Sequence, residues 1–422
     1  MLFLKENRIT ELPPTVFREC GRGLFIQIFF CGLRFSQMVE VEKMKKNLFA
    51  FWLFLGLCVT LVIAGYTVDR LSQPKAQPYV SEEPPYVDMA EVEDEISLVG
   101  PVVKEWLNGE TTALDLYTQY RSHGRVYTAM PVKLQWGVYK IPDGAFITRQ
   151  FFELATTETF EDASRYELRA GERSIELPYL LVDTQYYYRV TLELENSPGC
   201  VTEGTFTTAW SPRILELEDL RNIRDIGGWK TTDGKTVRQG LLYRGCELDG
   251  ATETKCVVTK TVADIMVQDM KIKSELDLRS ADTKGVQDML GADVKHQYFA
   301  LPSYAGTFTD AGNQKLRAVF SELAVEENYP VYLHCTKGAD RTGIVCYLLE
   351  ALLGMSEEDC YRDWELSVLD NGNDNREVMN RFVETLKKYE GETLREKTEN
   401  YLLSIQVTQE EIDSIRSILT TE

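Results

Sequence analysis

Cys335 and Arg341 enclose five residues, Thr336, Lys337, Gly338, Ala339 and Asp340. A nucleophile and a cation at that spacing can bind a phosphate group and attack its phosphorus. The flanks give this loop a setting. Val331, Tyr332 and Leu333 read as a short apolar strand, and Ile344, Val345, Leu348, Leu349, Leu352 and Leu353 recur as a helix that Gly354 can end. A loop opening a helix N-terminus gathers backbone N–H groups into one concavity, where the helix dipole adds positive potential. Gly338 permits the tight path, and Arg341 can fork two hydrogen bonds onto phosphate oxygens, which lysine cannot copy. The same field favours the thiolate of Cys335, the reactive form. Its attack would give a phosphocysteine, which water then hydrolyses.

The rest of the composition narrows the chemistry. A chain of 422 residues, 44% apolar and 27% charged, should hold about two or three folded domains. With 46 Lys plus Arg against 66 Asp plus Glu, a net charge of -20 argues against nucleic acid as a partner, so any polyanion site must be local. Nine cysteines without a C-x-x-C pair, and only three histidines, stock the chain poorly for zinc. No metal and no cofactor is expected, and the odd cysteine count leaves at least one thiol free.

Several segments must position the loop. Residues 1–43 read as a cytoplasmic stub or an over-extended start. Residues 44–66 read as a signal sequence or a membrane anchor, because Leu48 to Ala64 is a charge-free run of 17 residues behind Lys43, Lys45 and Lys46. The lysines predict a catalytic region outside the cytoplasm, membrane-anchored, or secreted if the leader is cleaved. Residues 67–97, rich in proline and acids, read as an extended stalk. Residues 98–210 read as a β-sandwich, since Val132, Leu134, Trp136 and Val138, and then Tyr186, Tyr188, Val190, Leu192 and Leu194, alternate with polar residues. Asp143-Gly144 and Asn196-Ser-Pro-Gly199 are turn signals between such strands. The tyrosine-rich strand followed by GTFTT at 204–208 resembles a fibronectin type III module. Residues 211–422 alternate strands with amphipathic helices.

His334-Cys335, five residues, then Arg341-Thr342-Gly343 resembles the signature of the cysteine-dependent protein tyrosine phosphatase superfamily. Asn222-Ile-Arg224-Asp225-Ile-Gly-Gly228, LLYRGCEL at 241–248 and SELDLRS at 274–280 add three motifs in the order of a bacterial tyrosine phosphatase group. Cys246 stands where that group has a small or polar residue. The resemblance implies an α/β fold, a tyrosine phosphatase-like sheet flanked by helices, here preceded by the sandwich and the membrane segment. It implies a phosphatase acting on phosphorylated proteins or peptides, with a phosphoinositide or inositol phosphate as the second candidate. A surface protein working through its sandwich is the reading from another class.

The resemblance also assigns roles. Cys335 is the nucleophile, Arg341 and residues 336–340 hold phosphate, and His334 supports the loop. Arg224 or Asp225 braces it, and Thr342 hydrogen-bonds the thiolate. Leu301-Pro302-Ser303 stands where many relatives carry an acidic W-P-D-like loop, so Asp340 becomes the proton donor and Asp310 the second choice. Lys337 lies two positions before the lysine of phosphoinositide-competent relatives. Cys346 and Cys360 should pack. The segment from Tyr361 to Leu369 and the final helices, with a Thr408 to Glu411 capping box, are given no catalysis.

Overall fold

The computed structural model describes residues 84–252, 254–280 and 288–421. The stub, the 44–66 segment and the first part of the stalk lie outside the described residues. Among the described residues no helix is long and apolar enough to cross a membrane.

Strands Tyr86–Met89 (β1) and Glu95–Ile96 (β2) come first, followed by helices Pro101–Leu107 (α1) and Ala113–Tyr120 (α2). Six strands follow: Val132–Tyr139 (β3), Phe146–Ala155 (β4), Ser164–Leu168 (β5), Ser174–Leu177 (β6), Thr184–Glu195 (β7) and Cys200–Thr208 (β8). They form a three-stranded sheet ordered β1-β3-β6 and a five-stranded sheet ordered β2-β8-β7-β4-β5. The expected alternation is present: Val132, Leu134 and Trp136 on β3 and Tyr186, Tyr188, Val190 and Leu192 on β7 are buried, with exposed or half-buried residues between them. Both sheets turn these residues into one core, shared with Phe152 and Phe206, so Tyr186 and Tyr188 pack inside.

Two expectations are corrected here. Residues 86–96 are not stalk: β1 pairs antiparallel with β3, β2 pairs parallel with β8, and Val87 is buried in the sandwich core. The acids Asp88, Glu91, Glu93, Asp94 and Glu95 are all exposed, so their charge masks a half-buried strand whose inward residue is Val87. Nor is the stretch after residue 98 all sandwich. Helices α1 and α2 bury Val103, Trp106, Ala113 and Leu116 in the core that holds Ile344, Leu348, Trp364 and Leu369. Their apolar face is spent on the following region.

That region begins with Arg213–Ile214 (β9), Arg224–Asp225 (β10) and Leu242–Gly245 (β11), then Lys260–Asp264 (α3), Ser274–Asp277 (β12), Lys295–Tyr298 (β13) and Asp310–Leu323 (α4). Val331–His334 (β14) leads into Asp340–Leu353 (α5), Glu357–Asn371 (α6), Arg376–Leu386 (α7), Leu394–Ser404 (α8) and Gln409–Leu419 (α9). The sheet order is β13-β12-β14-β11-β10-β9. The first four strands are parallel, and β10 runs antiparallel to both neighbours. Helix α5 is buried from Thr342 to Leu353, as a helix apolar on all sides should be. Thr408 and Glu411 make the expected capping box at α9, and Thr393 and Glu396 make another at α8. Strand β14 therefore ends at the carboxyl edge of a parallel sheet, where such folds bind ligands.

Candidate active site

The turn from β14 to α5 is Cys335 to Ala339, and three of its successive carbonyls are tied from outside. Thr336 O accepts from the Glu247 N–H at 3.1 Å. Lys337 O accepts from Asn222 Nδ2 at 3.0 Å and Gly338 O from Arg244 Nη2 at 2.9 Å. In a trans peptide the next N–H points opposite to the carbonyl, so the N–H groups of Lys337, Gly338 and Ala339 turn to the inner side of the loop. No side chain caps α5 at Ala339, which leaves its first-turn donors for an anion. Gly338 has φ +67°, and a Cβ there would lie 2.4 Å from Gly245 O. A Cβ at Gly343 would come within 2.9 Å of Trp364 Cδ1. Cys335 is buried on this floor, and Arg341 Nη1 is buried without a hydrogen-bond partner among the described residues.

Behind the loop stands a buried network. Asp363 on α6 accepts from Arg224 Nε at 2.8 Å and from Arg244 Nη1 at 2.5 Å. Arg224 Nη1 donates to Asn222 Oδ1 at 2.5 Å, which orients the amide that holds Lys337 O. Burial would raise the Asp363 carboxyl, but Arg224 and Arg244 overcome it and hold it down to about 2. Arg224 therefore braces the loop through Asn222 and Asp363. Asp225 does not reach the loop: it accepts from Arg213 Nη1 at 2.7 Å, Gly227 N at 2.8 Å and Gly240 N at 2.5 Å. Arg213 in turn donates to Tyr179 O and Leu180 O of the sandwich. Asp225 thus fixes the Gly-Gly turn and the seam with the sandwich, so of the two residues expected to brace the loop it is Arg224 that does so.

His334, fully buried, donates from Nε2 to Glu275 Oε1 at 2.9 Å and from Nδ1 to Cys335 O at 3.1 Å. Burial pushes the imidazole down, but the Glu275 hydrogen bond and the charges of Asp277 and Glu275 outweigh it and push it up to about 9. His334 is then a cation at neutral pH and holds the peptide that starts the loop. Below it, Arg279 bonds three carboxylates, those of Glu247, Asp249 and Asp277, at 2.8–3.0 Å.

Asp340 opens α5, and its Oδ1 accepts from Tyr304 OH at 2.6 Å and Asn375 Nδ2 at 2.8 Å. Asp310 is exposed in the first turn of α4, where a carboxylate complements the helix dipole. Thr342 is buried, and its Oγ1 has no hydrogen-bond partner among the described residues, so the expected bond to the Cys335 thiol is not made. Lys337 is exposed and shares a pocket with Arg221, Cys246 and Cys256. Cys246 is buried and its Sγ accepts from the Arg221 N–H at 3.2 Å. Burial pushes the Cys346 thiol up to about 12 and Cys360 well above its ordinary value, so both pack as unreactive thiols. Among the described residues no group of His, Cys, Asp or Glu side chains is set to hold a metal ion.

Sequence reasoning missed Arg244, Asp363, Tyr304 and Asn375. Arg244 was in view within LLYRGCEL, and Asp363 sits in the helix given no catalysis. Nothing in the sequence signals Tyr304 or Asn375.

The tyrosine phosphatase family model matches residues 215–421. A Cupriavidus necator protein named as a tyrosine-protein phosphatase is 26% identical over 196 residues, 40% of this chain and 68% of its own length. A Nostoc commune tyrosine-protein phosphatase is 28% identical over 119 residues, 23% of this chain and 40% of its own length. Among solved structures, P. aeruginosa TpbA is 17% identical with a TM-score of 0.27, covering 40% of this chain and 89% of its own. The catalytic domain of the PP-IP phosphatase SIW14 from S. cerevisiae is 13% identical with a TM-score of 0.24, covering 41% and 95%. The family match starts after the sandwich and contains the whole loop with its bracing residues: residues 215–421 belong to the tyrosine phosphatase family, within the cysteine-dependent superfamily.

Proposed function

We propose that this chain hydrolyses phosphate monoesters, phosphotyrosine in proteins first among them, through a phosphocysteine on Cys335. The observation that carries the reading is the outward tying of three successive loop carbonyls, which turns their neighbouring amides to the side where a phosphoryl group would sit. Arg341, with Nη1 unpartnered, supplies the fork for two phosphoryl oxygens. The Cys335 thiolate forms the S–P bond as the ester P–O bond breaks. Asp340 gives its proton to the departing oxygen, then takes one from the water that attacks phosphorus as S–P breaks. His334, Asn222 and Arg244 hold the loop still meanwhile, which is the source of its preorganisation.

The second substrate class is an inositol phosphate or phosphoinositide, whose further phosphate would meet a neighbouring pocket lined by Lys337 and Arg221 but also by Asp370, which keeps phosphotyrosine first. The charge-free run at 48–64 supports a membrane tether with the catalytic region exported. A rate comparison for the full-length chain on phosphotyrosine peptide, phosphoserine peptide and phosphatidylinositol phosphate vesicles decides among substrates. The expected order has phosphotyrosine first. Faster turnover of the vesicles would install the second reading, and an absence of turnover on all three under reducing conditions would remove the first.

A further inference from the structure

Two residues near Asp340 give up ordinary local stability. Tyr304 is buried with φ +48°, a left-handed backbone that a bulky side chain rarely adopts and that clusters at working sites. Asn375 is the N-cap residue of α7, a position where asparagine normally caps the helix, yet its side chain makes no capping bond. Both spend their polar atoms on one place: Tyr304 OH and Asn375 Nδ2 converge on Oδ1 of Asp340, at 2.6 and 2.8 Å. Burial, then the Asp340 charge and hydrogen bond, push the Tyr304 hydroxyl far above its ordinary value, so it stays a donor. Tyr304 comes directly after Leu301-Pro302-Ser303, the stretch that carries no acid.

We propose that Tyr304 and Asn375 are positioning residues that lock the Asp340 carboxyl with Oδ1 as the hydrogen-bond acceptor and Oδ2 as the oxygen that carries the proton. This rests on the reading of Asp340 as proton donor. With two donors on Oδ1, the proton can reside only on Oδ2 without losing a hydrogen bond. From Oδ2 it passes to the leaving oxygen as the P–O bond breaks and Cys335 Sγ–P forms. The loop that lacks an acid thus contributes the residue that aims one.

The test is leaving-group dependence in the full-length chain, read as kcat/KM, which covers steps up to phosphocysteine formation. Phenyl phosphate needs a proton on its leaving oxygen; 2,4-dinitrophenyl phosphate does not. Asp340→Asn should lose about a hundredfold on the first and change less than about twofold on the second. Tyr304→Phe, which keeps the ring, should lose about tenfold on phenyl phosphate alone, and Asn375→Ala should lose in the same selective way. Added to Asp340→Asn, Tyr304→Phe should cost nothing more. Equal losses on both esters in Tyr304→Phe, or no loss on either, overturn the positioning role while a selective Asp340→Asn keeps the acid. A non-selective Asp340→Asn removes the acid and the proposal together.

Discussion

Two buried arginine–carboxylate networks flank the loop from Cys335 to Arg341, and their charge balance is opposite. On one side two arginines, Arg224 and Arg244, share one carboxylate, Asp363. On the other a single arginine, Arg279, faces three carboxylates, Glu247, Asp249 and Asp277. The cation-rich network reaches the loop itself, through Gly338 O and through Asn222 to Lys337 O. The anion-rich network ties the segment just after β11 to the end of β12, and its side chains make no bond to the loop among the described residues. The difference teaches where charge can be placed. The side chains that hold the loop, Asn222 and Arg244, donate to its carbonyls and bring no negative charge to it, while the acids gather among themselves around Arg279. Apart from both networks, His334 holds the loop, a cation bonded to Glu275 with its other nitrogen on the first peptide of the loop.

Removing the shared acid should break the first network hardest. Asp363→Asn leaves two buried guanidinium groups with no full counter-charge and should lower stability by about 3–5 kcal/mol, read from the urea midpoint and slope. A loss no larger than that of a surface substitution would show that the arginines find other partners.

The second effect is a pH dependence with a definite sign. Because folding raises His334 from its ordinary value to about 9, its stabilisation is complete below about pH 6.5 and is lost as pH rises through about 9. It amounts to about 3 kcal/mol at most. Urea midpoints of the wild-type chain should fall over that alkaline window, and those of His334→Gln should stay level there. Parallel curves would place the His334 proton outside the folding balance. The smallest effect belongs to the anion-rich network, where Asp277→Asn leaves Arg279 two carboxylates and should cost about 1–2 kcal/mol. A cost equal to that of Asp363→Asn would erase the contrast.

What could be read from the sequence depends on the distance over which each interaction acts. The loop is legible because its cysteine, its backbone amides and its arginine lie within seven consecutive residues of one turn. Its bracing is not, since Arg224 meets Asp363 across 139 residues and Arg244 meets Gly338 across 94. No periodicity reports such partners. Thr342 and Asp225 were read from motif position, yet a hydroxyl's partner and a carboxylate's direction depend on neighbours from other elements. The sandwich strands were legible by alternation, as β3 and β7 show. The strand at 86–89 was hidden because it is four residues long with one buried residue, Val87, and acids crowd the chain that follows it. That strand has a practical consequence: a chain cut at residue 98 would lose β1 and β2 from the sandwich sheets.

In the proposed reaction Cys335 Sγ is the atom that takes the phosphoryl group. Rapid acid quench of the full-length chain during turnover of a phosphotyrosine peptide, followed by mass spectrometry, reads this directly. The expected result is a phosphoryl adduct on Cys335 that forms and decays with turnover, and no hydrolysis in Cys335→Ser although the peptide still binds. Undiminished hydrolysis in Cys335→Ser, or an adduct on another residue, would contradict a phosphocysteine on Cys335.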